Sequence, residues 1–319
     1  MKKLLLILLC LPFIGYGQTW ERFYGDSNIA DEYGYCVRQT TDGGYIVTGF
    51  ESSSGSLGSG TNMAKVWLIK TDINGDTIWT EKFGGTSVNG GYSVQQTTDG
   101  GYIISGYTED LGGTGDVLLI KTDGNGQIQW LKKFGGEGSD YGYSVIQNTD
   151  GDFIVAGRYE HWNGNGDGGR TYLIKTDANG DSIWTKTFGN GVGNSVQQTS
   201  DGGYIITGCK EYFGNPWELD IYLIKTDANG DSIWTKTFGG NGHVCGYSVQ
   251  QTTDGGYVVA GGTYTTTNNP FGTLNGEVYL IKTDNNGDSI WTKSFGGIFY
   301  DVGYCVQQTT DGGYIICGG

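Results

Sequence analysis

One recurring phrase constrains this chain more than any other feature. L-I-K-T-D-x-N-G-D-S-I-W-T-K-x-F-G-G is followed by G-Y-S-V-Q-Q-T-T-D-G-G-Y-I-I-x-G. The tryptophans of the phrase fall at Trp20, Trp79, Trp130, Trp184, Trp234 and Trp291, so successive repeats are 59, 51, 54, 50 and 57 residues apart. Periods of about 50 residues belong to solenoids, propellers or arrays. Each repeat holds four strand-like runs. In the fourth, Ser195–Thr199 alternates polar and apolar residues and Asp201-Gly202-Gly203 supplies a turn tolerant of positive φ. Tyr204–Thr207 returns as a second strand, Asp220–Thr226 is the third, and Asp231–Phe238, after Asn229-Gly230, is the fourth. These strands are called a, b, c and d. Four antiparallel strands per unit predict a propeller blade. The expected fold class is therefore all-β: a β-propeller of four-stranded antiparallel blades, about six of them, with the last incomplete.

The blades need one another. Ile-Ile in strand b and Tyr-Leu-Ile in strand c make both sheet faces apolar. Stacking buries both, at about 25 cal/mol per Å². The six repeated tryptophans are assigned to that structural core, each docking on a neighbouring blade. The chain opens with a d strand, Trp20–Tyr24, runs through five full sets, and ends with strands a and b of a sixth, Cys305–Thr309 and Tyr314–Cys317. A leading d strand with a trailing a–b pair is what ring closure uses. The missing last c strand predicts that the gene product continues past Gly319. The propeller domain is read as residues 18–319, one monomeric domain within a longer chain.

Residues 1–17 read as a signal peptide: Lys2 and Lys3 form a basic start, Leu4–Ile14 is apolar apart from Pro12, and Gly15-Tyr16-Gly17 places small residues for cleavage before Gln18. The apolar run is too short to span a bilayer, and Leu9 stands before Cys10 where a lipoprotein wants a small residue. The expected location is extracellular or on the outer cell surface. Sixty glycines with 13% aromatic residues exclude disorder, and the lack of a G-X-Y period excludes collagen. The net charge of −15 becomes −17 once Lys2 and Lys3 are removed, which repels phosphate backbones and argues against a nucleic-acid partner. Five cysteines remain after cleavage: Cys36, Cys209, Cys245, Cys305 and Cys317. Their odd number and wide spacing predict neither a disulfide framework nor a zinc site. Cys36 and Cys305 replace Ser93, Ser144, Ser195 and Ser248 of the other repeats.

The strand c–strand d unit, as in Tyr222–Trp234, resembles the tryptophan-docking repeat of quinoprotein-type propellers. The whole phrase is similar to the repeats of secreted bacterial β-propeller proteins that often carry a type IX secretion sorting domain. The resemblance spans Gln18–Gly319. It implies a fold and an export route, and no activity.

The four turns Thr-Asp-Gly-Gly at 41–44, 98–101, 253–256 and 310–313 are identical, whereas the b–c loops 51–64, 109–115, 160–170, 210–219 and 263–276 all differ. Alternate connections of an antiparallel sheet lie on opposite edges. One edge of every blade is thus uniform and the other individual, and binding normally uses individual loops on a rigid frame. The candidate ligand-binding residues on the variable edge are Glu160, His161, Trp162, Tyr212, Phe213, Trp217, Glu218, Phe271, Phe299 and Tyr300. Aromatic platforms beside acids suit a glycan or a cell-surface protein; the same residues also suit packing of their own loops.

Catalytic signals are sparse. The two histidines, His161 and His243, sit in different repeats, and no nucleophile elbow, H-E-x-x-H pair or phosphate loop occurs. No cofactor is expected, because no adjacent cysteine pair accompanies the docking repeat. No metal is assigned either. The turn Asp177-Ala178-Asn179-Gly180-Asp181 matches the start of a calcium loop but has glycine at the fourth place and no later bidentate Glu, so a hairpin explains it more simply. Binding or adhesion is the first reading. The alternatives are a polysaccharide hydrolase or lyase using Glu109, Glu160 or Glu218, and a structural spacer in a surface protein.

Overall fold

The computed structural model describes residues 21–25, 31–52, 64–85, 87–109, 114–160, 168–212, 215–239, 242–266, 274–297 and 300–319. The chain divides into two compact units, Met1–Phe134 and Gly135–Gly319. Both are all-β and built from four-stranded antiparallel blades of the β-propeller class. Among the described residues, no helix is long and apolar enough to cross a membrane.

The first unit holds two blades. One is β1 (Asp31–Gln39), β2 (Tyr45–Ser52), β3 (Ala64–Thr71) and β4 (Thr77–Phe83), paired in that order. The other is β5 (Val88–Gln96), β6 (Tyr102–Glu109), β7 (Gly115–Thr122) and β8 (Ile128–Phe134). Ile46, Leu68 and Val66 of the first blade meet Val94, Ile104 and Ile120 of the second in one buried cluster. Strands b and c are buried along almost their whole length, and their sequence is accordingly a near-continuous apolar run.

The second unit begins with β9 (Tyr141–Gln147), β10 (Phe153–Glu160) and β11 (Gly169–Thr176). The next strand, β12 (Ser182–Gln198), serves two blades: Thr171 to Thr176 of β11 pair with its first half, and Gly191 to Gln198 of its second half pair with β13 (Tyr204–Tyr212). Here the d–a connection is continuous strand, where the sequence pattern predicts two strands and a loop. β14 (Asn215–Thr226) and β15 (Ser232–Phe238) complete that blade. A further blade follows with β16 (His243–Gln251), β17 (Tyr257–Thr266), β18 (Leu274–Thr283) and β19 (Ser289–Phe295). The hairpin β20 (Gly303–Gln308) and β21 (Tyr314–Gly318) ends the chain. Among the described residues, the a–b–c–d strand sets and the final a–b hairpin follow in the order read from the repeat.

Two expectations are corrected. Glu21–Gly25 forms no strand. It nevertheless docks where a preceding d strand would: Arg22 Nε donates to Asp76 at 3.0 Å and the Tyr24 hydroxyl to the Gly75 carbonyl at 2.7 Å. Lys186 and Lys236, two residues beyond their tryptophans, reach Asp231 and Asp288 in the same way at 2.7 Å each. Second, Cys209 and Cys245 form a disulfide, with Cα atoms 4.8 Å apart. Their separation of 36 residues hid the pairing, because the repeat itself brings strand b of one blade against strand a of the next.

Four of the repeated tryptophans sit between blades. Trp79, Trp184, Trp234 and Trp291 are half-buried and stand edge-on to Tyr102, Tyr204, Tyr257 and Tyr314 of the following blade, with ring centroids 5.8, 6.3, 5.8 and 5.9 Å apart. A Cβ on Gly230 would come within 2.7 Å of the Trp184 ring, and one on Gly287 within 2.7 Å of Trp234. That turn position also carries a positive φ of 78°. The N-G of the c–d turn thus serves both the turn and the docking tryptophan.

Candidate ligand-binding edge

Strand a carries one extra residue in every repeat. The register slips between Gly34 and Cys36, Gly91 and Ser93, Gly142 and Ser144, Gly193 and Ser195, Gly246 and Ser248, and Gly303 and Cys305. The inserted residues are Tyr35, Tyr92, Tyr143, Asn194, Tyr247 and Tyr304. A bulge leaves its residue out of the ladder and re-aims the side chain. The facing glycine of strand b allows it: a Cβ on Gly49, Gly106, Gly157, Gly208 or Gly261 would lie within 1.9 Å of a strand-a carbonyl oxygen. The recurring G-Y-S of strand a and the terminal glycine of Y-I-I-x-G are therefore two halves of one device.

The re-aimed rings gather with aromatics nearer the variable edge. In the first unit Tyr35 meets Tyr92 edge-on at 5.1 Å, Tyr33 stacks on Phe50 at 4.9 Å, and Tyr92 stacks on Tyr107 at 5.4 Å. In the second, Tyr247 lies 5.4 Å from Tyr304, its hydroxyl bonds that of Tyr264, and Tyr264 lies 5.1 Å from Tyr300. Tyr35 and Tyr304 are about half open to solvent, at 50% and 56%. Burial, then the Tyr264 hydroxyl, pushes the Tyr247 phenol well above its usual range, and burial does the same to Tyr143. The Tyr247 and Tyr143 phenols therefore stay neutral at physiological pH.

Beside Tyr143 lies an ion-paired group. Arg158 donates through Nε to Glu160 at 2.9 Å and through its terminal nitrogen to Glu211 of the next blade. Asp140, fully buried, accepts from the Glu160 backbone N–H at 2.7 Å and from Gly136 N–H at 2.8 Å. Burial opposes the charge on Arg158, but Glu211 and Glu160 together raise its pKa. Glu160 is thus tied to a guanidinium.

Of the other residues expected here, Tyr212 is exposed and its hydroxyl donates to Asp220, which raises the phenol to about 12. Glu218 is exposed near the start of β14, and Tyr300 joins the Tyr264 cluster. Trp217 lies in β14. His161, Trp162, Phe213, Phe271 and Phe299 fall outside the described residues. Glu109 ends β6 in the first unit, and Glu160 and Glu218 belong to the second. The bulge tyrosines were missed by the sequence reading because G-Y-S looks like ordinary strand alternation. The available signal was Asn194, the single departure from tyrosine at that place. Its amide instead donates to the Gly246 carbonyl at 2.9 Å, next to the Cys209–Cys245 link.

The c–d turns are closed by their own leading aspartates. Asp72 Oδ1 accepts from the backbone N–H groups of Asn74 and Asp76 at 2.8 Å, and Asp177, Asp227 and Asp284 repeat the pattern. Among the described residues no group of three metal-ligating side chains converges.

No protein-family model matches this chain, and no curated protein does. Among solved structures it is similar to the WD40 domain of Neurospora crassa Pan2, with 9% identity over 89% of this chain and 86% of that one, at a TM-score of 0.49. It is also similar to Sqt1 from Chaetomium thermophilum, with 11% identity over 86% and 75% of the two chains and a TM-score of 0.46. A thermostable family-43 glycoside hydrolase aligns at 14% identity over 85% and 93%, with a TM-score of 0.43. None of these likenesses bears on what the chain does.

Proposed function

We propose that this chain is a secreted or cell-surface binding module whose variable edge engages a glycan through the bulge tyrosines. The supporting observation is the pair of half-exposed rings, Tyr35 and Tyr304, each set against a second bulge tyrosine on an adjacent blade. Aromatic rings with hydroxyl tips suit the apolar faces and hydroxyl rims of sugars. The acidic chain disfavours polyanions, and the inter-blade disulfide fits an oxidising compartment outside the cytosol. Binding is favoured over hydrolysis because Glu160 is engaged by Arg158. The test is a glycan array followed by calorimetry on the hits. Saturable binding of neutral oligosaccharides, with no reducing sugar released, is expected. Binding to cell-surface protein alone would replace the glycan by a protein partner. Reducing-sugar release abolished by Glu160→Gln would replace the whole reading by an enzyme.

A further inference from the structure

The hairpin β20–β21 carries a feature that the other blades lack. Cys305 and Cys317 are direct cross-strand partners, one residue beyond the bulge at Tyr304. The same pair of positions holds Cys36 and Thr48, Ser93 and Ser105, Ser144 and Ala156, Ser195 and Thr207, and Ser248 and Ala260 elsewhere. Only here are both members thiols, and both cysteines are free and exposed. Residues directly opposite in an antiparallel pair have Cα atoms about 4.5–5.5 Å apart, inside the range that a disulfide spans. Both side chains also leave the hairpin on one face, as direct partners must.

We propose that Cys305 and Cys317 are a redox modification site, closing a cross-strand disulfide when they meet a low-molecular-weight disulfide oxidant. One thiolate attacks the oxidant's S–S bond, forming a mixed disulfide and releasing one small thiol. The second thiolate attacks the cysteine sulfur of that mixed disulfide and expels the second small thiol. Two protein thiols are oxidised, one oxidant disulfide is reduced, and the two protons pass to the released thiolates. Partial burial of its sulfur and the neighbouring Cys305 raise the Cys317 thiol above its usual range, so closure is slow at neutral pH and speeds up in alkali. The free cysteine with the matching environment is Cys36, whose cross-strand partner is Thr48; it has no second thiol to close with.

Trypsin provides a direct readout, because no lysine or arginine stands between Lys293 and Gly319 and both thiols therefore fall in one tryptic peptide that starts at Ser294. The full chain is treated with oxidised glutathione at pH 8.5, alkylated without reduction, digested and weighed. The expected peptide has lost two hydrogens and takes up no alkyl group. A doubly alkylated peptide, or one carrying glutathione on either sulfur, would overturn the proposal. So would protection from alkylation that a chelator reverses, which would make the pair a metal ligand set. Cys317→Ser should leave Cys305 trapped as the glutathione adduct. If Cys305 in that variant takes up the alkyl group and no glutathione, the hairpin thiol does not exchange with a disulfide oxidant and the proposal is overturned.

Discussion

The two edges of each blade are built on opposite plans. At the uniform edge one aspartate organises the turn. Asp42 accepts from the Thr40 hydroxyl at 2.5 Å and the Gly44 N–H at 3.0 Å, and pairs with the ammonium of the buried Lys70 at 2.8 Å. Asp99, Asp201 and Asp254 repeat this with Lys121, Lys225 and Lys282 at 2.8 to 2.9 Å. Such a turn tolerates little variation, and it recurs almost unchanged. The third blade varies it: Asp152 takes the place of the second glycine, and its own carboxylate pairs with Lys175 at 3.1 Å. At the variable edge, rings meet rings and the backbone asks for few particular residues. Repetition in this sequence therefore marks where blades are assembled, and departure from repetition marks where they are free to differ.

The sharpest way to break the comparison is to remove an assembly glycine. A Cβ on Gly106 would stand 1.8 Å from the Gly90 carbonyl oxygen and 2.8 Å from its carbon, both backbone. Gly106→Ala is expected to cost about 4 kcal/mol, in the range reserved for strain that nothing can relieve. Chemical denaturation midpoints would show it. An unchanged midpoint would mean that the bulge opens freely, and that the bulge tyrosines are not held in place. Trp234→Ala comes next. It strips the ring from Tyr257 and from the turn glycine Gly287. For a half-buried tryptophan the loss should fall near the lower end of large-to-small changes, about 3 kcal/mol.

Acid tests the uniform edge as a whole. Lys70 and then the Thr40 hydroxyl hold Asp42 at about 2, and Thr252 with Lys282 does the same for Asp254. At Asp99 and Asp201 partial burial opposes the charge, and the lysine and threonine partners overcome it to about 2. The folded-state values are depressed, so the stabilisation is complete above the ordinary carboxylate value of 3.8 and is lost as pH falls from there towards 2. Melting temperature should be flat near neutrality and drop steeply below pH 4. Asp201→Asn should shallow that slope and cost about 2 kcal/mol at neutral pH, since Lys225 is left buried beside a weaker acceptor. A slope unchanged by the substitution would remove these pairs from the stability of the blade.

Much of this was legible in the sequence, and the reason is physical. Strands a to d, their turns and the blade boundaries follow from glycines needing positive φ and from apolar runs covered on both faces. The Cys209–Cys245 link was not legible, because it depends on which strand positions the blade stacking brings together. The bulge was hidden too, since Gly34, Tyr35 and Cys36 read as plain alternation until Gly49 is seen opposite. Of the ten residues expected to bind, His161, Trp162, Phe213, Phe271 and Phe299 fall in stretches whose composition differs from repeat to repeat, so no repeat predicts another.

The smallest expected effect on stability is the most informative about function. Tyr35→Ala and Tyr304→Ala remove rings that are half open to solvent and rest mainly on other rings. Each should shift stability by no more than about 0.5 kcal/mol, the ordinary scale for surface changes. Each should also weaken glycan binding about fivefold, since a lost stacking ring is worth about 1 kcal/mol. Phe substitution separates the two contributions of a tyrosine. If Tyr35→Phe binds as the parent does, the ring face carries recognition; if it binds as weakly as Tyr35→Ala, the hydroxyl does. If neither alanine variant affects binding, the bulge only shields the edge strand from pairing with other chains. In that case the rings serve assembly, and the division between a constrained edge and a free one fails at its central point.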